Sequence, residues 1–218
     1  IEPIAGRPVV RIRLRPTRNF GAEAVCGRAG SHHLVFPVND LEYRVTTDAS
    51  LSALADQCPI VVDQPLTFVL GPNQTIEETP SVLAHSLLLE TSNYWQDWVR
   101  TLAIPFDWQE EVIRAAITLK LCTFEDTGAV LAALTTSIPE GPGSGRNWDY
   151  RYCWLRDSYF VIQALNRLGA TRTMEAYLHF IDHIVAGSAV RELQPVYSLA
   201  GSHDIEERVV TSLAGYRG

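Results

Sequence analysis

Arg146-Asn147-Trp148-Asp149-Tyr150-Arg151-Tyr152-Cys153-Trp154-Leu155-Arg156-Asp157 is the stretch on which the reading of this chain turns. Trp148, Tyr150, Tyr152 and Trp154 supply rings, and Arg151 can stack beside them. Among the rings stand a consecutive Arg156-Asp157 pair and a second carboxylate, Asp149. Rings present apolar faces that need a geometric reason to lie near water, and guanidinium offers a planar array of donors. Fixed carboxylate and guanidinium groups beside such rings can fork hydrogen bonds onto vicinal hydroxyls, as a carbohydrate site requires. The same residues also suit a helix start with buried tryptophans and a structural ion pair, so composition alone leaves both readings open.

Outward from this stretch, a Gly/Pro-dense loop (Pro139 to Gly145) delivers the chain to it, and a helix is expected from about Leu155 to Leu168, closed by Gly169. A further helix is expected from about Arg172 to Val185, with Thr171 as its cap and Gly187 beyond its end. Upstream, Asp107 reads as the N-cap of a helix over Trp108–Leu121, with Glu110 and Glu111 favourable in the first turn. Its apolar positions (Val112, Ile113, Ala116, Ile117, Leu119, Leu121) cover much of the circumference, which implies burial on more than one side. Helices of this kind joined by functional loops describe an α/α barrel, with Pro139–Gly145 and Arg191–Arg208 as rim loops.

Ser81–Arg100 reads as a linker helix or two, broken near Ser92-Asn93, and its Tyr94, Trp95 and Trp98 read as packing rather than a second sugar site. Before it, Val10, Ile12 and Leu14 alternate with Arg11, Arg13 and Arg15, the period of a half-buried strand. Leu34–Phe36, Tyr43–Thr47 and Pro65–Leu70 continue the pattern, separated by turn-rich Gly27–Ser31, Asn39-Asp40 and Gly71–Asn73. The expected organisation is a partial antiparallel β-sandwich over 1–78, a helical linker over 79–106 and part of a helical barrel over 107–218.

Composition sets limits. Among 218 residues, 46% are hydrophobic, enough for a sizeable core, and the net charge of −7 offers no basic surplus to neutralise nucleic-acid phosphates. The acidic balance suits a neutral polyol substrate and a cytosolic enzyme alike. No apolar run approaches a membrane span. Cys26, Cys58, Cys122 and Cys153 form no C-x-x-C pair and are expected to be buried free thiols. His32-His33 in a strand point to opposite faces, so one exposed and one packed ring are expected. His179 and His183 have the i, i+4 spacing of zinc ligands but no third ligand in a matching motif, so no metal is expected. Glu140 reads as a surface or loop-closing residue, and Glu206-Glu207-Arg208 as an ordinary charged face.

Asn147–Asp157, preceded by Thr135-Thr136-Ser137-Ile138-Pro139-Glu140, resembles glycoside hydrolase family 15, which contains glucoamylases, glucodextranases and bacterial trehalases. The resemblance extends along the chain. Trp108–Leu121 and Thr127-Gly128-Ala129-Val130 are similar to the family's first barrel helix and following loop. Val9–Pro16 with Asn19-Phe20-Gly21 is similar to part of its N-terminal β-sandwich, and Leu213–Gly218 to the start of a substrate loop. The fold this implies is multi-domain, β then α: part of an antiparallel β-sandwich followed by the first helices of an (α/α)6 barrel. The sequence is expected to be an internal fragment, with the family's catalytic general acid and base glutamates after Gly218 and no catalytic residue within it.

The resemblance implies an inverting, exo-acting α-glucosidase that needs no cofactor and whose partner is an α-linked glucan, an oligosaccharide or trehalose, with no nucleic acid and no membrane. Inverting enzymes hold two carboxyl groups about 6.5–9.5 Å apart so that a water fits between. Asp149 and Asp157 could be nominated, but Arg156 beside Asp157 favours the ionised carboxylate, a hydroxyl acceptor rather than a general acid. By resemblance, Arg156 and Asp157 bind hydroxyls of the sugar at the non-reducing end, Tyr150 faces that sugar near its anomeric centre and Trp154 lines the pocket. Trp148 and Asp149 are expected to support them, and Tyr216 and Arg217 to begin the loop of the neighbouring sugar position. A noncatalytic sugar-binding or regulatory domain, or a phosphorylase, would share all of these residues.

Overall fold

The structure is a computed structural model that describes residues 1–187 and 193–217. It divides into two compact units, Ile1–Asn93 with Val210–Leu213, and the residues from Tyr94 to Val209 with 214–217.

The first unit is made of antiparallel strands. In chain order these are β1 (Val9–Val10), β2 (Thr17–Arg18), β3 (Glu23–Ala24), β4 (Arg28–Ala29), β5 (His33–Val38) and β6 (Leu41–Thr47). A short helix α1 (Leu51–Ala55), β7 (Ile60–Val61) and β8 (Phe68–Pro72) follow. One four-stranded sheet has the order β4-β5-β6-β8, and β1–β7 and β2–β3 form two-stranded pairs. At its centre lies the β5–β6 hairpin, registered from His33↔Thr46 to Val38↔Leu41. Its loop is Asn39-Asp40, where Asn39 holds a φ of 54°, a left-handed value that asparagine tolerates better than most side chains. Leu34, Phe36, Val45 and Leu54 form the core, with Ile12, Leu14, Val25 and Phe68 packed against it.

The alternation over Pro8–Arg15 holds as burial: Val10, Ile12 and Leu14 are half-buried, and Arg11, Arg13 and Arg15 are exposed. As pairing it is shorter than expected, because only Val9 and Val10 join a ladder, opposite Val61 and Ile60. The next pair would set Arg11 against Pro59, which has no N–H to donate. Ile12 and Leu14 are therefore held by burial alone. Gly71 and Pro72, read as a turn, belong instead to β8, opposite Arg44 and Tyr43. β8 is an edge strand, where the missing N–H of a proline costs no ladder bond. Arg28 and Ala29, also read as turn, form the short edge strand β4. His33 is half-buried in β5 and His32 is exposed, as expected.

α2 (Pro80–Arg100) runs unbroken through Ser92-Asn93, correcting the expected break. The weak helix preferences of one serine and one asparagine, each about half a kcal/mol, do not interrupt a helix of this length. The boundary between the units falls inside it, after Asn93.

The second unit continues with α3 (Gln109–Leu121), β9 (Cys153–Trp154), α4 (Leu155–Arg167), α5 (Thr171–Gly187) and β10 (Val196–Tyr197). α3 is capped by Trp108, in the left-handed region at φ 60° and without a side-chain cap bond, rather than by Asp107. Glu110 and Glu111 do lie in its first turn. Only Ala116 of α3 is buried, Val112, Ile113, Ile117 and Leu119 are half-buried and Leu121 is 52% exposed, so the expected burial on several sides is not met. α4 ends as expected, with Gly169 at φ 83°. α5 begins one residue earlier than expected and includes Gly187, because helical hydrogen bonding carries past Val185.

Two cores serve this unit. Ala129, Val130, Cys153, Ile162, Tyr177, Phe180, Ile184 and Tyr197 form the larger. Leu102, Ala116, Leu165 and Ala170, with Trp98 and Ile104 against them, form the other. Gly128, at φ 81°, lies so close to α5 that any Cβ would collide with the Ala176 carbonyl. Of the four thiols only Cys153 is buried and Cys122 is half-buried, whereas Cys26 and Cys58 are exposed. Apolar neighbours in sequence did not bury the last two because they lie outside both hairpin and helix cores. Of the expected rim loop Arg191–Arg208, Arg191 and Glu192 lie outside the described residues, and the remainder includes β10.

Candidate functional site

The segment from Tyr150 to Trp154 is held extended between two neighbours. On one side, Tyr150 N–H donates to Thr135 O (3.0 Å), Ala133 N–H to Tyr150 O (3.1 Å) and Ala132 N–H to Tyr152 O (3.0 Å). On the other, Trp154 pairs with Val196 and Cys153 with Tyr197, and Leu155 N–H donates to Pro195 O (3.1 Å). In an extended chain alternate side chains share a face. Cys153 accordingly points into the core, wholly buried, while Tyr150, Tyr152 and Trp154 gather on the other face. The Tyr150 and Trp154 rings lie 6.2 Å apart, tilted by 42°, and Tyr152 meets Trp154 edge-on at 6.3 Å.

Trp154 is also the cap of α4, with φ −84° and ψ 121°. Strand therefore becomes helix directly, and Arg156 and Asp157 fall in the first turn, where an acidic side chain is favoured by the helix dipole. Their side chains stand 3.7 Å apart, 83% and 47% exposed. So loose and exposed a pair contributes little to stability and leaves most of its donors and acceptors available.

Beneath this turn, the wholly buried Ser158 fastens strand to helix. Its hydroxyl reaches Trp154 O at 2.9 Å, Val130 O at 3.3 Å and Cys153 Sγ at 3.3 Å. Burial pushes the Cys153 thiol above its ordinary pKa and Tyr177 up to about 12, so both are neutral in the fold.

Asp149 is committed elsewhere. Arg151 Nε donates to Oδ1 at 3.0 Å, Arg151 NH2 to Oδ2 at 2.9 Å, and the Arg151 backbone N–H to Oδ1 at 3.0 Å. Partial burial alone would raise the Asp149 pKa, but the side-chain fork and backbone bond from Arg151 outweigh it and hold the carboxyl below its usual range. Trp148 is committed too: its indole N–H donates to Glu140 Oε1 at 2.9 Å. Glu140 N–H donates to Arg146 O (3.0 Å), so Glu140 closes the loop as expected.

Tyr216 and Arg217 are exposed, and the Arg217 guanidinium lies 5.3 Å from the Tyr216 ring centroid. Tyr216 N–H donates to Ser137 O at 2.8 Å, and Gly215 sits against Asn147. That segment is thus docked on residues flanking the Pro139–Gly145 loop. Sequence reasoning passed over Ser158, though a serine four residues after Trp154 at a helix start can bond back to that carbonyl. No group of three or more potential metal ligands occurs among the described residues, and no helix among them is long and apolar enough to cross a membrane.

The family model described as glycosyl hydrolases family 15 matches residues 108–217. The chain is 29% identical over 215 residues to a trehalase of Thermoplasma volcanium, covering 96% of this chain and 34% of that protein. It is 39% identical over 146 residues to a trehalase of Mycolicibacterium smegmatis, covering 66% of this chain and 21% of the relative. With trehalase 1 of Sulfolobus acidocaldarius it shares 33% over 147 residues, covering 67% and 25%. The chain thus spans about a third or less of the length of these curated relatives. No solved structure matches it.

Proposed function

Because the chain belongs to glycosyl hydrolase family 15, we propose that its aromatic Arg-Asp segment forms the glucose-binding part of an inverting, exo-acting α-glucosidase. Trehalose is the substrate favoured by the names of the relatives, and α-linked glucans are the alternative. The observation that carries this reading is the ring cluster of Tyr150, Tyr152 and Trp154 beside an exposed, loosely paired Arg156 and Asp157 at the start of α4.

In this reading Asp157 accepts and Arg156 donates hydrogen bonds to hydroxyls of the terminal glucose, Trp154 lines the pocket, and Tyr150 faces the ring near its anomeric carbon. Asp149 acts through Arg151, and Trp148 is steadied by Glu140. Tyr216 and Arg217 open the loop of the adjoining sugar position. Hydrolysis with inversion needs one carboxylic acid to protonate the leaving oxygen and one carboxylate to activate water on the opposite face. We assign neither role to a residue of this chain. Asp149 is tied up by Arg151, and Asp157 is charge-matched for binding, so both catalytic glutamates are expected elsewhere in the full-length protein. The corresponding architecture is a β-sandwich region over 1–78, a linker over 79–106 and the first helices of an (α/α)6 barrel from 107.

Asp157→Asn in the full-length protein tests the assignment. The exchange keeps size and helix position while removing a charged acceptor, and should lower kcat/KM for trehalose about a hundredfold, the scale of one charge-assisted hydrogen bond. A variant within threefold of the parent on every α-glucoside tried would remove Asp157 from the site.

A further inference from the structure

We infer that Asn147 is a positioning residue: its side chain seats the segment from Gly215 to Arg217 beside the strand that bears the ring cluster. This rests on the reading above in giving Tyr216 and Arg217 a part in binding, and it concerns a side chain to which that reading gives no task.

The short stretch from Thr135 to Ser137 holds both partners. Thr135 O accepts the Tyr150 N–H (3.0 Å), and Ser137 O accepts the Tyr216 N–H (2.8 Å). Tyr216 is therefore fastened to the same stretch as Tyr150, which places the segment but does not by itself fix its attitude. Gly215 supplies the second point of contact. A Cβ built there would stand 2.3 Å from Asn147 Nδ2 and 3.2 Å from Asn147 Cγ, the first impossible and the second crowded, while Ser137 O, at 3.6 Å, would be in ordinary contact. Among the described residues Gly215 is not one of the glycines at positive φ. The close approach of the asparagine, and not the backbone conformation, is what calls for glycine at this position.

Asn147 is itself held on both sides. Before it, Arg146 O accepts the Glu140 N–H (3.0 Å); after it, the Trp148 indole N–H donates to Glu140 Oε1 (2.9 Å). A support fixed in this way keeps what leans on it in the narrow range of geometry that recognition needs. Tyr216 and Arg217 are exposed and touch each other, guanidinium over ring, so what sets the segment sets both side chains. Asn147 is exposed as well. Its removal should therefore cost little stability, and the effect should appear in binding.

The test uses the full-length protein and trehalose. Asn147→Ala should raise KM about tenfold, less than the ~100-fold that an ångström of misplacement can cost, with kcat within about twofold and the urea midpoint unchanged. Gly215→Ala should do the same by pushing the asparagine aside. The double variant Asn147→Ala/Gly215→Ala should be no worse than either alone, since the added methyl then meets nothing closer than Ser137 O. In a Tyr216→Ala/Arg217→Ala background, Asn147→Ala should lower kcat/KM no further. Losses that add in full in either combination, or a parental KM in Asn147→Ala, would overturn the inference. If Tyr216→Ala/Arg217→Ala itself leaves trehalose hydrolysis intact, or the parent does not hydrolyse trehalose, the reading beneath fails on its own account. Hydrogen exchange at the Tyr216 N–H then decides the seat: faster exchange in Asn147→Ala than in the parent supports it, and an equal rate refutes it.

Discussion

Two aromatic clusters in the second unit use nearly the same residues in different settings. Tyr94, Trp95 and Trp98 sit on helix α2, with ring centroids 5.2 and 5.8 Å apart in edge-on contacts. Trp98 packs against the core of Leu102, Ala116 and Leu165. The polar groups nearby are spent: Tyr94 OH donates to Glu125 at 2.7 Å, and Lys120 pairs with Glu125 at 2.6 Å. Tyr150, Tyr152 and Trp154 instead sit on an extended segment, and the charges next to them, Arg156 and Asp157, are loosely paired and exposed. Ring content does not separate packing from recognition. The condition of the neighbouring charges differs: around Tyr94 they are closely paired, while Arg156 and Asp157 are only loosely paired and exposed, the feature on which the proposed binding role rests.

The sharpest way to break this contrast is to remove one tryptophan from each cluster. Trp154→Ala should lower kcat/KM for trehalose about a hundredfold in the full-length protein, the scale of losing a pocket-lining aromatic anchor. Trp98→Ala should cost about 3 kcal/mol of stability in urea melts yet keep activity per folded molecule within about twofold. A selective loss of turnover in Trp98→Ala would abolish the distinction. Next in size, Ser158→Ala removes the hydroxyl under the strand-to-helix junction and with it the bond to the Val130 carbonyl. It should cost about 1–2 kcal/mol and raise KM through Trp154 and Asp157, whereas the conservative Ser158→Thr tests crowding alone.

Smaller effects belong to the spent charges around Tyr94. The Lys120 hydrogen bond, aided by Tyr94, holds Glu125 below its ordinary pKa. A carboxylate with a depressed folded pKa stabilises above its unfolded value and loses that contribution as pH falls. Glu125→Gln should therefore cost a few tenths of a kcal/mol at neutral pH, as exposed pairs do, with the difference from the parent starting to fade only as pH falls below the ordinary value of 4.5. At the alkaline end, burial and then Glu125 push Tyr94 up to about 12. The neutral phenol is the folded form, so its contribution is intact below about pH 10 and declines as pH rises toward 12. Tyr94→Phe should flatten that decline in thermal melts recorded across the interval.

Much of the organisation was legible in the sequence because it rests on period and punctuation. The β5–β6 hairpin follows from alternation on either side of Asn39-Asp40, and α4 from its apolar stripe and Gly169. What escaped depended on partners remote in sequence. Whether Arg11 could pair was decided by Pro59, and whether Gly71-Pro72 turned or paired was decided by β6. Asp107 has the chemistry of a cap, but the left-handed Trp108 moved the helix start by one residue. In the proposed site, Arg156-Asp157 could be picked out from their neighbours. That Asp149 is absorbed by Arg151, or that Ser158 fastens the junction, required knowing which backbone atoms lie beneath them.

The loop between Glu140 and Trp148 is a closed hoop, fastened at its neck by one backbone bond and by the Glu140 carboxylate on the Trp148 indole. Nothing lies within 4 Å of a Cβ built on Gly143 or Gly145. A neck tied independently of its tip makes the tip a port, where extra chain can be spliced in while the tryptophan stays put. Because closing a loop of twice the length costs only about 0.6 kcal/mol more, the hoop can be lengthened without disturbing the Trp148–Glu140 bond at its neck.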